Sequence, residues 1–147
     1  MKENIKVRQI VMEDYKHVDS WYEKREELRP ISILLPNNGL DGFIVEKNNT
    51  PIAVIYLYLT NSKMGYMDFL MSDPDYKEED RYELIMLLLK YCTQRAIKIG
   101  LECVFVTTAI PGLVKKGREL AVNEDLICKE ESRVIIYTHE SKNKIFI

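Results

Sequence analysis

The sequence predicts an α+β domain, a mixed and mainly antiparallel twisted sheet flanked by helices. Three observations carry that prediction. Three strand-like runs separated by short polar turns fill residues 42–72, and a long helical run fills 82–100. A strongly β-forming run, "LECVFVT", follows that helix directly. A strand, a helix and a second strand in this order make a right-handed crossover.

Each element has its own signal. "IKVRQIV", Ile5 to Val11, alternates apolar and polar residues and reads as a strand. Glu13 and Asp14 open a helix through Tyr15, Val18, Trp21 and Tyr22, with the acids at the positive end of the helix dipole. "RPISILLPNNGLDG" is broken by Pro30, Pro36, Gly39 and Gly42, so it reads as a loop with one short helix at most. "GFIVEK" and "IAVIYLYL" are two strands of a hairpin joined through "NNTP", and "YMDFLMS" is the third strand of the meander. Within "YELIMLLLKYCTQRAIKIG", Leu84, Leu88, Tyr91, Cys92, Ala96 and Ile99 recur at helical spacing, and Gly100 stands where a helix ends in a left-handed residue. "PGLVKKGRELAV" reads as a shorter helix ending near Gly117, and "LICKEESRVIIYT" as a last hairpin. The tail "ESKNKIFI" has an apolar end suited to packing on the body or on a partner.

Composition bounds the function classes. A chain of 147 residues fits a single domain, residues 1–147, with a core large enough to need no disulfides. A net charge of −2 gives no electrostatic reason to expect nucleic acid. No apolar run approaches the ~20 residues that span a bilayer, so no membrane partner is expected. "MKENIKVRQ" lacks the apolar stretch of a signal peptide. Cys92, Cys103 and Cys128 show neither zinc spacing nor a disulfide pattern and read as core residues of a protein in a reducing, cytoplasmic setting. His17 and His139 are isolated, so no metal site is expected. Trp21 and Tyr22 read as core or groove-lining residues, and Lys115–Lys116 is too short a basic run to mark a nucleic-acid surface.

The loop "SDPDYKEEDRYEL" feeds the long helix and has the frame of a phosphate-holding turn, but it carries six acids and no glycine. Asp75 followed by Glu78 resembles a capping box, with Glu78 and Glu79 complementing the first turn. On that reading the helix end supplies its own anions.

Nearly the whole chain resembles the GNAT-type N-acetyltransferases, and within them a phage-type branch. The resemblance lies in "LLPNNGLDGFIVEKNNTPIAVIYLYLTNS", in "SDPDYKEEDRYELIMLLLKYCTQRAIKIG" and in "TTAIPGLVKKGREL". It implies the GNAT-like fold, acetyl-CoA as cofactor and an amine acceptor, small molecule or protein. It also implies that the loop wraps the coenzyme's pyrophosphate. Pro74 is in place, Lys77 stands where the family has Arg or Gln, Asp80 replaces the first Gly, and Tyr82 replaces the second small residue. A carboxylate about 4 Å from a phosphate costs about 1 kcal/mol in water and about 4 near a protein surface. The loop therefore reads as degenerate, with cofactor affinity lowered roughly tenfold to a thousandfold.

The resemblance places the pantetheine arm against the backbone of Leu70, Met71 and Ser72. Lys77 and Arg81 remain able to reach a phosphate, and Thr108 is a further cofactor contact. Asp68 and Glu46 are the candidate general bases, direct or through water, set against a plain reading as solvated strand residues. The Tyr that serves as acid in the family, an Asn past the following strand and a closing Gly-Phe are all absent; Ile110, Ala121 and Val122 occupy the latter positions. Ser72 lacks the glycines of a nucleophile elbow. Two functions stand side by side. One is an acyl-CoA-dependent N-acyltransferase with a weakened cofactor loop. The other is a non-catalytic phage protein on the same scaffold, acting as a virion-associated or binding component, as a homo-oligomer or with a phage protein partner.

Overall fold

The computed structural model describes residues 2–107, 115, 126–131 and 134–139. Its strands are β1 (Ile5–Gln9), β2 (Gly42–Lys47), β3 (Thr50–Leu59), β4 (Met64–Ser72), β5 (Cys103–Thr107), β6 (Leu126–Glu131) and β7 (Val134–His139). Its long helices are α1 (Tyr15–Lys24) and α2 (Arg81–Lys98). The strands form one sheet in the order β1-β2-β3-β4-β5-β7-β6. Every neighbouring pair is antiparallel except β4 and β5, which run parallel on either side of α2 in sequence. The α+β class and the mixed, mainly antiparallel sheet are therefore as the sequence predicts.

Alternation on the strands splits the core in two. Phe43, Val45, Ile55, Leu57 and Met67 face α2, which returns Leu84, Ile85, Leu88, Leu89, Cys92 and Ala96. The intervening residues Ile44, Val54 and Tyr56 face α1, which contributes Tyr15, Val18, Trp21 and Tyr22. Cys92 and Cys103 are buried free thiols, in keeping with their reading as core residues. Burial pushes the Cys92 thiol up to about 12, so it stays protonated and inert.

Local chemistry sets the boundaries. Asn48 and Asn49 turn the β2–β3 hairpin with φ of 50° and 65°, the left-handed pair that a two-residue hairpin loop requires. Gly100 ends the α2 segment at φ 96°. β1 stops at Gln9, and a 3-10 turn over Met12–Asp14 precedes α1. Asp14 accepts the Val11 N–H at 2.8 Å and both Arg8 guanidinium nitrogens at 2.7 and 2.8 Å, which ties the entry of α1 to β1. The proline-rich segment holds two short 3-10 turns, and in the second of them Asn37 and Asn38 are left-handed. The helix read over residues 111–122 lies outside the described residues apart from Lys115, which is helical. Thr108, the tail and the side chains of Cys128 and His139 also lie outside them. Among the described residues, no helix is long and apolar enough to cross a membrane.

Candidate functional site

The sheet opens beyond the middle of β4. Pairing between β4 and β5 runs from Met64↔Cys103 to Met67↔Val106 and stops there, while β4 stays paired with β3 as far as Ala53↔Ser72. Among the described residues, the edge of β4 from Asp68 to Ser72 thus has no strand partner on the β5 side and faces a gap. The cause is a bulge. Between the pairs Tyr56↔Asp68 and Val54↔Met71, β4 carries one residue more than β3. An extra residue bends and twists its strand, here where it parts from β5. Phe69 sits in the bulge at φ 56°, a conformation that bulky side chains rarely adopt. Asp68 Oδ1 accepts the Phe69 N–H at 2.7 Å and holds that conformation.

The direction of the free backbone groups follows from one bond. The Asp73 N–H bonds the Ile52 carbonyl at 2.8 Å, toward β3. Successive residues of a strand point their backbone groups to opposite sides, so those of Ser72 face the gap. Arg25, just past the end of α1, donates to the Ser72 carbonyl at 3.2 Å and lies 3.5 Å from its hydroxyl. Arg81, the first residue of α2, donates to the same hydroxyl at 2.6 Å. Ser72 itself is buried. Among the described residues neither arginine has a carboxylate in ion-pair range. Their nitrogens both reach this one hydroxyl and so lie within about 6 Å of each other, where like charges repel by roughly 1 kcal/mol or more in water and roughly 3 or more near a protein surface, so this corner favours an anion.

The acidic loop differs from its sequence reading. The Asp75–Glu78 capping box does not form, because α2 begins only at Arg81, with Asp80 as its cap residue and no side-chain cap bond. Asp75 instead pairs with Lys24 at 2.6 Å, and its own N–H bonds Asp73 Oδ1 at 2.9 Å. Asp80 accepts from Lys47 at 2.7 Å and from the Tyr76 hydroxyl at 2.5 Å, which hold its carboxyl below the usual range. Lys47 also pairs with Glu3 at 2.9 Å. Asp75 and Asp80 are thus each answered by a lysine from another element. Lys77 is exposed, and Tyr82 keeps 44% of its surface exposed.

The predicted site residues separate into two groups. Asp68, Leu70, Met71, Ser72 and Arg81 come together along the β4 edge and the start of α2. Glu46 does not join them. It is buried on β2, with the Arg8 Nε donating to it at 3.1 Å. It sits opposite Pro51 of β3, whereas Asp68 sits opposite Tyr56, about 16 Å further along that strand. Glu46 is paired with Arg8 between β1 and β2 and stands apart from the Asp68 end of β4. Sequence reasoning missed Arg25 and Lys47. No local pattern marks either, since each acts on a residue distant in sequence. It also missed that Tyr56, Tyr58, Tyr66 and Asp68 share one face, although alternation on two adjacent strands carries that signal.

No protein-family model matches this chain, and no curated protein sequence does. Solved structures do resemble it. The diaminobutyrate acetyltransferase EctA from Paenibacillus lautus, in complex with L-2,4-diaminobutyric acid and coenzyme A, superposes with a TM-score of 0.68 at 12% identity, over 99% of this chain and 100% of that one. The ribosomal-protein-S18-alanine N-acetyltransferase from Escherichia coli gives 0.65 at 12% identity, over 98% and 100%. N-acetylglutamate synthase from Neisseria gonorrhoeae, complexed with coenzyme A and N-acetyl-glutamate, gives 0.63 at 16% identity over 92% of this chain. The chain spans only about a third, 35%, of that synthase. At these identities the likeness is one of fold: the chain has the GNAT acyltransferase fold.

Proposed function

We propose that this chain is an acyl-CoA-dependent N-acyltransferase that acetylates a primary amine. The observation that carries the reading is the opened edge of β4, with Asp68 at its root and, at its far end, Arg25 and Arg81, which have no carboxylate in ion-pair range among the described residues. The residues present fit acetyl-CoA. The outward backbone groups near Leu70, Met71 and Ser72 suit the amides of a pantetheine arm, and the two guanidiniums suit its phosphates. Lys77 and Thr108 are further candidate contacts. Several solved structures of this fold carry coenzyme A, which supports the same assignment.

The coenzyme supplies an acyl thioester; the amine nitrogen bonds to its carbonyl carbon, the carbon–sulfur bond breaks, and the sulfur leaves as a thiol. The chain's own part is to hold the partners in line and move a proton. Asp68 is the base. It takes the proton that an arriving ammonium must lose before its lone pair can attack. Among the described residues only its Oδ1 is committed, to the Phe69 N–H, which leaves the second oxygen for this. No glycine-rich backbone cradle surrounds the phosphates, so their hold falls on side chains and cofactor affinity is weak for the fold.

The bonds from Lys47 and Tyr76 to Asp80 favour a second reading, a non-catalytic binding protein on this scaffold, because they draw the loop shut on itself. One experiment separates the two. Coenzyme A at about 100 times its dissociation constant stabilises the fold by about 2.7 kcal/mol, seen as a rise in melting temperature. Acetyl-CoA with a panel of amines then releases free thiol. No shift at millimolar coenzyme overturns the acyltransferase reading, and binding without thiol release favours the binding protein.

A further inference from the structure

A cleft opens at the end of α2 that lies away from Ser72. The buried side chains of Phe43 and Leu57 form its floor, and the exposed side chains of Leu59 and Ile99 stand on its rim. Its volume is about 150 Å³. An engineered apolar cavity of about that size holds one benzene. Three polar side chains complete the lining: Gln9, Asp41 and Arg95. The strands bring the first two together. Gln9 of β1 pairs with Phe43 of β2, and the Leu57 N–H of β3 reaches the Asp41 carbonyl at 3.4 Å. Arg95 comes from the last turn of α2.

The two charges share this cleft without meeting. Among the described residues neither Asp41 nor Arg95 has an ion-pair partner. The Asn37 amide donates to Asp41 Oδ1 over a long 3.4 Å. The Gln9 amide nitrogen is committed to the Leu40 carbonyl at 2.7 Å, which leaves its oxygen as an acceptor. The cleft is also separate from the opened edge of β4. Arg81, beside Ser72, and Arg95 lie about 21 Å apart along one helix. Phe43 and Leu57 face α2, whereas Asp68 stands opposite Tyr56, which faces α1.

We infer that this cleft binds a free apolar α-amino acid, with its carboxylate on Arg95, its ammonium on Asp41 and its side chain on Phe43 and Leu57. An apolar floor beside one cation and one carboxylate selects a ligand that carries the two opposite charges on an apolar body. An alkyl carboxylate brings its charge against Asp41, and an alkylamine brings its charge against Arg95. The first residue of a peptide has the ammonium but lacks the carboxylate. The size admits a side chain no larger than about a benzene ring. The inference does not depend on acyl transfer.

The test is a titration of the full chain, followed by ligand-observed NMR, with L-leucine, isoamylamine, isocaproate and glycine. Isoamylamine is leucine without its carboxylate, isocaproate is leucine without its ammonium, and glycine lacks the side chain. L-leucine binds at least tenfold tighter than each of the other three. Arg95→Gln, on an exposed residue, lowers leucine to the level of isoamylamine and does not weaken the amine. Asp41→Asn lowers leucine to the level of isocaproate. Asp68→Asn leaves leucine binding as it is. No leucine binding at millimolar concentration, equal binding of leucine and either one-charge analogue, or indifference to both Arg95→Gln and Asp41→Asn overturns the inference. Leucine binding that is lost in Asp68→Asn and kept in Arg95→Gln places the amino acid at the opened edge of β4 and overturns it as well.

Discussion

Lys47 Nζ stands 2.7 Å from the Asp80 carboxylate, joining the end of β2 to the cap residue of α2. That contact changes what the acidic loop means. Read as sequence, Asp80 lies in the path of a phosphate; in the fold its charge is answered. Lys47→Met removes the answer and leaves the carboxylate. We expect it to weaken coenzyme A binding about tenfold, whereas Asp80→Asn changes it less than about twofold. Calorimetric titration of the two variants decides. If Asp80→Asn alone strengthens binding tenfold, the carboxylate was repelling phosphate after all.

The arginines on Ser72 make a different prediction. Arg25→Gln and Arg81→Gln should each lower coenzyme affinity about tenfold, the size of one charge-assisted contact near a surface. Both losses should shrink as salt rises and screens the exposed part of the contact. Affinity of the wild type and both variants, measured at low and high salt, tests this. Wild-type affinity with no dependence on either arginine or on salt would remove the phosphates from this corner.

Asp68, the proposed base, also holds the bulge through the Phe69 N–H, so its variant needs two readouts. Asp68→Asn keeps an oxygen able to accept the Phe69 N–H but cannot take a proton. Turnover should fall by about 10² to 10⁴, the range for loss of a general base, while the coenzyme dissociation constant holds. A parallel loss of coenzyme affinity would show that the bulge had collapsed instead.

The end of α1 offers a test of local strain. Glu26 adopts φ 55° with its N–H on the Glu23 carbonyl at 3.0 Å, in a left-handed position where glycine is the usual residue. Glu26→Gly should stabilise the protein by about 0.5–1 kcal/mol, after the greater freedom of glycine in the unfolded chain is set against the strain relieved. For a chain of this size that is about 1–4 °C in melting temperature. A lower melting temperature would mean that the Glu26 side chain makes a contact worth more than its strain.

Most of the fold is legible in the sequence because it is periodic. The alternation of "IKVRQIV", the apolar runs "GFIVEK" and "IAVIYLYL" set off by turn residues, and the helical spacing from Leu84 to Ile99 depend on local geometry, which neighbours in sequence determine. The site is less legible because it is made by coincidences of tertiary structure. Arg25 and Ser72 are 47 residues apart, and Lys47 and Asp80 are 33 apart. Charge counted along the loop therefore overstates repulsion, since the compensating lysines lie on other elements. The bulge was also invisible. Phe69 has strong β propensity and gives no hint of a left-handed backbone. Glu46 makes a similar point, for an acid on a strand reads the same whether it is free or paired, and its pairing with Arg8 of β1 shows only in the fold.

That same Arg8 sets the acid stability of the domain. Burial alone would raise the Asp14 carboxyl, but the hydrogen bonds from Arg8 and the Val11 N–H outweigh it and leave the group below its ordinary value. A carboxyl lowered in the folded state stabilises above its unfolded value of about 3.9, and that contribution is lost as pH falls through the folded value. Asp14→Asn at pH 7 should cost about 2–4 kcal/mol, less than a fully enclosed pair because the Arg8 side chain is 34% exposed. Between pH 7 and pH 5 the deficit should stay constant; below about pH 4 it should narrow, since the wild type is losing the stabilisation that the variant never had. Urea melts of both proteins across that range measure the difference directly. A deficit that does not change with pH would mean that Asp14 acts through its shape and hydrogen bonds and not through its charge.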